Sequence, residues 1–180
     1  MNARFTIWTV GHSTRPLDEF LALLAQHELQ AVADVRRFAG SRRHPQYSEG
    51  ALRGALGERA IRYVAFPSLG GRRRARADSR NLVWRNPSFR GYADHMESAE
   101  FAAGLQELVA LGASVRTTLM CAEAVWWRCH RALISDALKA DGIDVVHILD
   151  AKTATPHPYT AAARVVDGRL SYRGPTEDLF

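Results

Sequence analysis

Lysine is almost missing from this chain: Lys139 and Lys152 stand against 22 arginines among 180 residues. Cysteine is scarce as well. Two thiols cannot build a disulfide framework and allow at most one bridge. No apolar run approaches the roughly 20 residues that span a bilayer. The N-terminal stretch MNARFTIWTVGHS lacks a long apolar segment, so no secretory signal is expected. These absences predict a cytoplasmic protein with reduced thiols and no membrane partner. No G-x-G-x-x-G follows the first strand-like run, and no G-x-x-x-x-G-K-[ST] occurs around Gly70-Gly71, which excludes the usual dinucleotide and triphosphatase loops. With no cofactor motif present, no cofactor is expected.

What is abundant is arginine in one place. Residues 36–90 hold fourteen arginines and three acids (Glu49, Glu58 and Asp78), a balance of +11; the remainder carries ten basic and sixteen acidic side chains, −6. A GC-rich coding bias explains part of the choice of arginine over lysine but not its position. Guanidinium forks match phosphate and carboxylate. The block therefore reads either as a surface for an anionic partner or as a solvated basic face.

Strand and helix patterns alternate. Phe5–Val10, Ala31–Val35, Ile61–Phe66, Val115–Met120 and Ile143–Ile148 read as strands, being short, β-branched and apolar. Helical spacing marks a segment after Pro16, another from Ser48 or Glu49 to about Arg59, a third from Tyr92 to Leu111 with a break near Ser98, and a fourth from Arg128 to Ala140. Asp167-Gly168 between two short apolar runs signals a hairpin. This order predicts an α/β fold in a single domain spanning 1–180. A mainly parallel sheet of about five strands is covered by helices on both faces in a core of 5–150, and the C-terminal extension 151–180 carries the hairpin.

Open parallel sheets bind ligands beyond the carboxyl ends of their strands. Four predicted strand ends carry polar or glycine-rich groups: Gly11-His12-Ser13, Asp34-Val35-Arg36, the run from Pro67 to Gly71, and Cys121-Ala122-Glu123. The last opens CAEAVWWRCHRALI, which gathers two thiols, a carboxylate, two indoles, an imidazole and two guanidiniums at a strand-to-helix junction.

The stretches TVGHST (9–14), DVRRFAGSRRHPQYS (34–48), LGGRRR (69–74), FRGYADHM (89–96), MCAEAVWWRCHR (120–131) and DVVHI (144–148) together resemble the "domain of unknown function 488" family, in order and spacing, over most of residues 5–150. The resemblance implies an α/β fold and brings no established reaction. Ala39 departs from the family pattern, which tends to carry proline there.

Each candidate residue has a functional and a structural reading. Glu123 is either a general acid or base or an ion-pair partner of Arg36, Arg128 or Arg131. His12 and His130 are proton carriers or hydrogen-bonded core histidines. Cys121 sits where a nucleophile could stand, but a phosphatase-type loop would place arginine six residues on, and here Arg128 is the seventh, with Glu123 intervening. Cys129 and His130 next to each other would point about 100° apart on a helix, which disfavours zinc with Cys121; a metal held by His12, Glu123 and His130 is the remaining metal reading. Ser13 caps a helix or binds an anion. Asp34 and Arg36 share a strand face as a structural pair or an anion clamp. Arg43, Arg128, Arg131, Gly70, Gly71 and Trp127 complete the anion-binding set, with Trp127 available for stacking on a base. The expected function is hydrolysis of a phosphate-bearing ligand (nucleotide or nucleic acid). The alternatives are a non-catalytic nucleic-acid or nucleotide module and a thiol or metal protein.

Overall fold

The computed structural model describes residues 4–174. Five parallel strands, β1 (Thr6–Gly11), β2 (Ala31–Asp34), β3 (Arg62–Ala65), β4 (Thr117–Cys121) and β5 (Asp144–Ile148), are joined on one edge by the antiparallel β6 (Ala154–Pro156). Their order is β3-β2-β4-β1-β5-β6. A separate two-stranded hairpin pairs β7 (Arg164–Val166) with β8 (Arg169–Ser171). The sheet thus has six strands; β6 was not legible because all three of its residues are exposed and carry no apolar alternation.

Side chains alternate across a strand, and that alternation divides the core. Val10, Val32 and Met120 face one side, where they meet Phe20 and Leu24 of helix α1 (Leu17–Gln26) and Leu52 and Leu56 of α2 (Glu49–Gly57). Ile7, Ala31, Ala33 and Leu119 face the other. There they pack on Tyr92 of α3 (Pro87–Met96), Phe101 and Leu108 of α4 (Ala99–Ser114), and Leu133 and Ile134 of α5 (Arg131–Ala140). Helices therefore cover both faces, as the βαβ pattern requires.

Local chemistry sets the helix ends. The Asn86 side chain accepts from the Ser88 and Phe89 amides with Pro87 in the first turn, starting α3. Ser98 caps α4 by accepting from Phe101 N, so the segment expected from Tyr92 to Leu111 divides at Ser98, where the break was expected. Ser13 does not cap α1: that role falls to Pro16, without a side-chain bond. Ser13 instead adopts φ 48° and donates its amide to Ala122 O. Helix α5 starts at Arg131 rather than Arg128, because residues Trp126–Arg128 form a 3₁₀ turn and Cys129 is extended (φ −131°, ψ 152°). No helix among the described residues is long and apolar enough to cross a membrane.

Candidate functional site

The carboxyl ends of β1, β2 and β4 converge. Gly11 is in register with Cys121, and Asp34 with Met120. Past these ends the chain is stitched by backbone bonds: His12 N donates to Cys121 O at 2.9 Å, Ser13 N to Ala122 O at 3.0 Å, and Val35 N to Met120 O at 3.0 Å. The Cys121–Arg131 segment is thereby fixed to two neighbouring strand ends. Gly11 permits the closest approach, because a Cβ there would overlap the Glu123 carbonyl oxygen, a backbone atom with no freedom to yield. Gly11→Ala is expected to cost about 2–3 kcal/mol through forced backbone displacement. Urea denaturation checks this, and a variant as stable as the parent would refute the close approach.

The segment is held from beneath by a buried polar chain. The Arg131 guanidinium donates through Nη2 to Glu123 O at 2.7 Å and through Nη1 to Thr9 Oγ1 at 3.3 Å. Thr9 Oγ1 lies 2.6 Å from His147 Nδ1, His147 Nε2 lies 2.8 Å from His157 Nδ1, and His157 Nε2 lies 2.8 Å from Asp136 Oδ1. A carboxylate only accepts. With neutral imidazoles, His157 Nε2–H therefore donates to Asp136, His147 Nε2–H donates to His157, and the Thr9 hydroxyl donates to His147. Every member of the chain is buried. Trp126 stacks on His147 with centroids 4.4 Å apart, which ties the 3₁₀ turn to the same chain. Burial, followed by the nearby His157 and Arg131, lowers the His147 pKa to about 3.

Above this layer opens a cavity of about 390 Å³. Of the residues singled out in the sequence, Arg36, Gly71, Cys121, Glu123, Arg128 and His130 line it. So does Cys129, the second thiol of that segment, and so do Arg37, Phe38, Arg72 and Tyr92, which sequence reasoning did not place there. Their signal was present in DVRR, where Arg37 is a second arginine after the strand end, in LGGRRR, where Arg72 directly follows the glycine pair, and in Tyr92 within FRGYADHM.

The other candidates lie elsewhere. His12 sits behind Arg36, its Nε2 3.4 Å from Arg36 Nη1, its Nδ1 2.9 Å from Ser13 O, and its ring stacked on Tyr47 at 4.2 Å. The Ser13 carbonyl takes the Nδ1–H, which leaves the Nε2 lone pair for the guanidinium. Burial, assisted by Arg36, lowers the His12 pKa to about 4. Asp34 and Arg36 do not extend along a strand face: β2 ends at Asp34 and Arg36 folds back, donating its amide and Nε to Oδ1 and Nη2 to Oδ2. Arg131, 1% exposed, is committed to the chain below. Ser13, Gly70, Arg43 and Trp127 lie outside the cavity lining, Arg43 and Trp127 being exposed.

His130 Nε2 lies 2.8 Å from Val35 O, so it donates there and turns Nδ1 toward Cys129 Sγ at 3.5 Å. Because Cys129 precedes the helix, the divergence expected for adjacent helical residues does not apply. The Cys121 and Cys129 thiols are free, with Sγ atoms 2.8 Å apart. Among the described residues no three His, Cys, Asp or Glu side chains are grouped so as to hold a metal ion. The His12–Glu123–His130 metal reading therefore finds no assembled donor set: the free His12 Nε2 faces the Arg36 guanidinium and the free His130 Nδ1 faces Cys129 Sγ. Glu123 makes no ion pair among the described residues, whereas an ion pair with Arg36, Arg128 or Arg131 was the alternative; Arg36 pairs with Asp34.

The model of the family described as "Domain of unknown function DUF488" matches residues 16–138. No curated protein and no solved structure matches the chain.

Proposed function

The chain belongs to the DUF488 family, and from the chemistry of its cavity we propose that the site binds and hydrolyses a phosphate-bearing ligand, a nucleotide or a stretch of nucleic acid. One observation carries this reading: four arginines (Arg36, Arg37, Arg72 and Arg128) face one cavity with a single carboxylate, Glu123, and none of Arg37, Arg72 and Arg128 has an acidic partner among the described residues. A cluster of uncompensated guanidiniums is stabilised by an anion, and phosphate accepts several such donors at once. Phe38, 65% exposed at the same cavity, offers a face on which a base can stack. Glu123 is the one lining carboxylate and accepts a proton from attacking water.

His12 and His130 direct a ring N–H to backbone carbonyls, so Glu123 stands without an imidazole partner. That arrangement favours a second reading, a module that binds such ligands without turnover. Calorimetric titration with adenosine diphosphate and with a short single-stranded oligonucleotide, alongside a phosphate-release assay, separates the two. Arg72→Ala and Arg128→Ala are each expected to weaken binding about tenfold, with affinity falling as salt rises. Glu123→Gln is expected to bind as the parent does and release no phosphate. Tight binding by the parent with no release would transfer the site to the second reading; no binding of either probe at low salt would overturn both.

A further inference from the structure

The proposed phosphate ligand calls on the guanidiniums and Glu123, but two sulfurs also line the cavity. Cys121 closes β4 and Cys129 precedes α5, and both line the cavity although little of either is exposed. They are the only cysteines of the chain. We propose that they form a dithiol–disulfide couple, with Cys129 as attacking thiolate and Cys121 as resolving thiol, that reduces small disulfides bearing anionic groups. The substrate's charge rests on the arginine-lined cavity proposed above; the couple itself does not.

The two sulfurs have unequal surroundings. Cys129 Sγ receives the Arg131 amide N–H at 3.5 Å, faces His130 Nδ1 at 3.5 Å and lies 2.8 Å from Cys121 Sγ. Cys121 has only Cys129 and the Glu123 carbonyl oxygen, at 3.8 Å, as partners. A backbone N–H points at Cys129 and a backbone carbonyl at Cys121, so the proton stays on Cys121 and the negative charge belongs on Cys129. Burial alone raises a thiol; at Cys129 the Cys121 hydrogen bond, His130 and Arg131 outweigh burial and hold it well below the ordinary value. At Cys121 burial and the neighbouring Cys129 push it well above. Tyr92, the titratable side chain that α3 turns toward Cys129, has its hydroxyl committed to Leu69 O and stays protonated. An attacking thiol needs thiolate at working pH, and a resolving thiol needs proximity. Closing the sulfurs from 2.8 Å to a bond of about 2.05 Å is a side-chain movement.

The chemistry balances. Cys129 S⁻ attacks one sulfur of R–S–S–R; that bond breaks and R–S⁻ departs with the electron pair, leaving a Cys129–S–S–R mixed disulfide. Cys121 gives its proton to the departed thiolate and attacks Cys129 Sγ, expelling the second R–S⁻. The protein is oxidised to the Cys121–Cys129 disulfide, and the substrate is reduced to one R–SH and one R–S⁻, with charge and protons conserved. An external dithiol, itself oxidised to a disulfide, resets the pair.

The test uses the full chain, pre-reduced, with 5,5′-dithiobis(2-nitrobenzoate), a dianionic disulfide. The expected result is release of two equivalents of thionitrobenzoate for the two cysteines, with no adduct in the intact mass. Cys121→Ser, or Cys121→Ala if serine unfolds it, is expected to release one equivalent and to retain the nitrobenzoate adduct. Cys129→Ser is expected to react at least about tenfold more slowly. Substrate charge is read separately with 3,3′-dithiodipropionate, a dianion, and cystamine, a dication. Each rate is divided by the same disulfide's rate with dithiothreitol, and the dianion is expected to lead by about tenfold or more. Equal normalised rates would overturn the anionic substrate and count against the arginine-lined ligand site. A parent that retains two adducts, or a Cys129→Ser variant that reacts like the parent, would overturn the couple and leave the phosphate-ligand proposal untouched.

Discussion

Replacing Asp136 with alanine is expected to destabilise the protein by about 4 kcal/mol or more, a large share of the 5–15 kcal/mol that holds a typical domain together. Asp136 is fully buried and accepts four hydrogen bonds. They come from His157 Nε2 at 2.8 Å, Thr160 N at 2.9 Å, Thr160 Oγ1 at 2.6 Å and the Tyr172 hydroxyl at 2.8 Å. Removing the carboxylate strands donors that water cannot reach, each at roughly 1–3 kcal/mol. It also removes the buried negative charge at the far end of the chain leading to Arg131, and a buried charge left alone is costly. Asp136→Asn keeps one acceptor oxygen for His157 and presents an amide to hydroxyls that can accept, so its cost is expected to be about 1–2 kcal/mol. Urea unfolding followed by circular dichroism measures both. An alanine variant within 1 kcal/mol of the parent would mean that the chain contributes little to stability.

Acid is expected to weaken the protein from about pH 6.5 downward, before most of its carboxylates titrate. His12 and His147 have folded pKa values lowered to about 4 and about 3, by burial first. The unfolded chain protonates both near pH 6.5. Below that pH the unfolded state binds protons that the folded state refuses. Their contribution is complete above pH 6.5 and is lost progressively as pH falls toward 4 and 3. At pH 5 the loss is about 2 kcal/mol per histidine, about 4 kcal/mol together. His95, lowered by burial and partly offset by the Ser68 carbonyl, acts in the same direction. Urea midpoints at pH 8, 6.5 and 5 read the effect, and His12→Gln, whose amide can serve the same two partners, is expected to remove about half of the slope. A flat profile between pH 8 and 5 would refute the neutral, buried state of both rings.

The fold was legible because its information is local. Short apolar runs alternating with amphipathic ones specify a covered parallel sheet, and the polar tips at residues 11–13, 34–36 and 121–123 marked the edge where the cavity opens. What could not be read depends on distant pairings or on a few degrees of backbone. His147 lies near the end of its strand, but its partners Thr9 and His157 lie 138 and 10 residues away, and no spacing rule joins them. Arg131 looked like an anion binder at a helix start; a carbonyl tucked against Gly11 turns it inward. The two sulfurs meet because three residues form a 3₁₀ turn and Cys129 is extended, whereas a helix begun at Arg128 would have separated them.

The position of Asp136's donors has a consequence for the C-terminal extension. The family match ends at residue 138, yet His157, Thr160 and Tyr172 lie beyond it and beyond the last parallel strand. A chain ending at Asp150 would hold all five parallel strands but none of the four donors that hydrogen-bond this carboxylate. The carboxylate in α5 is thus satisfied only once residues 157–172 are in place, which ties the C-terminal extension to the completed sheet.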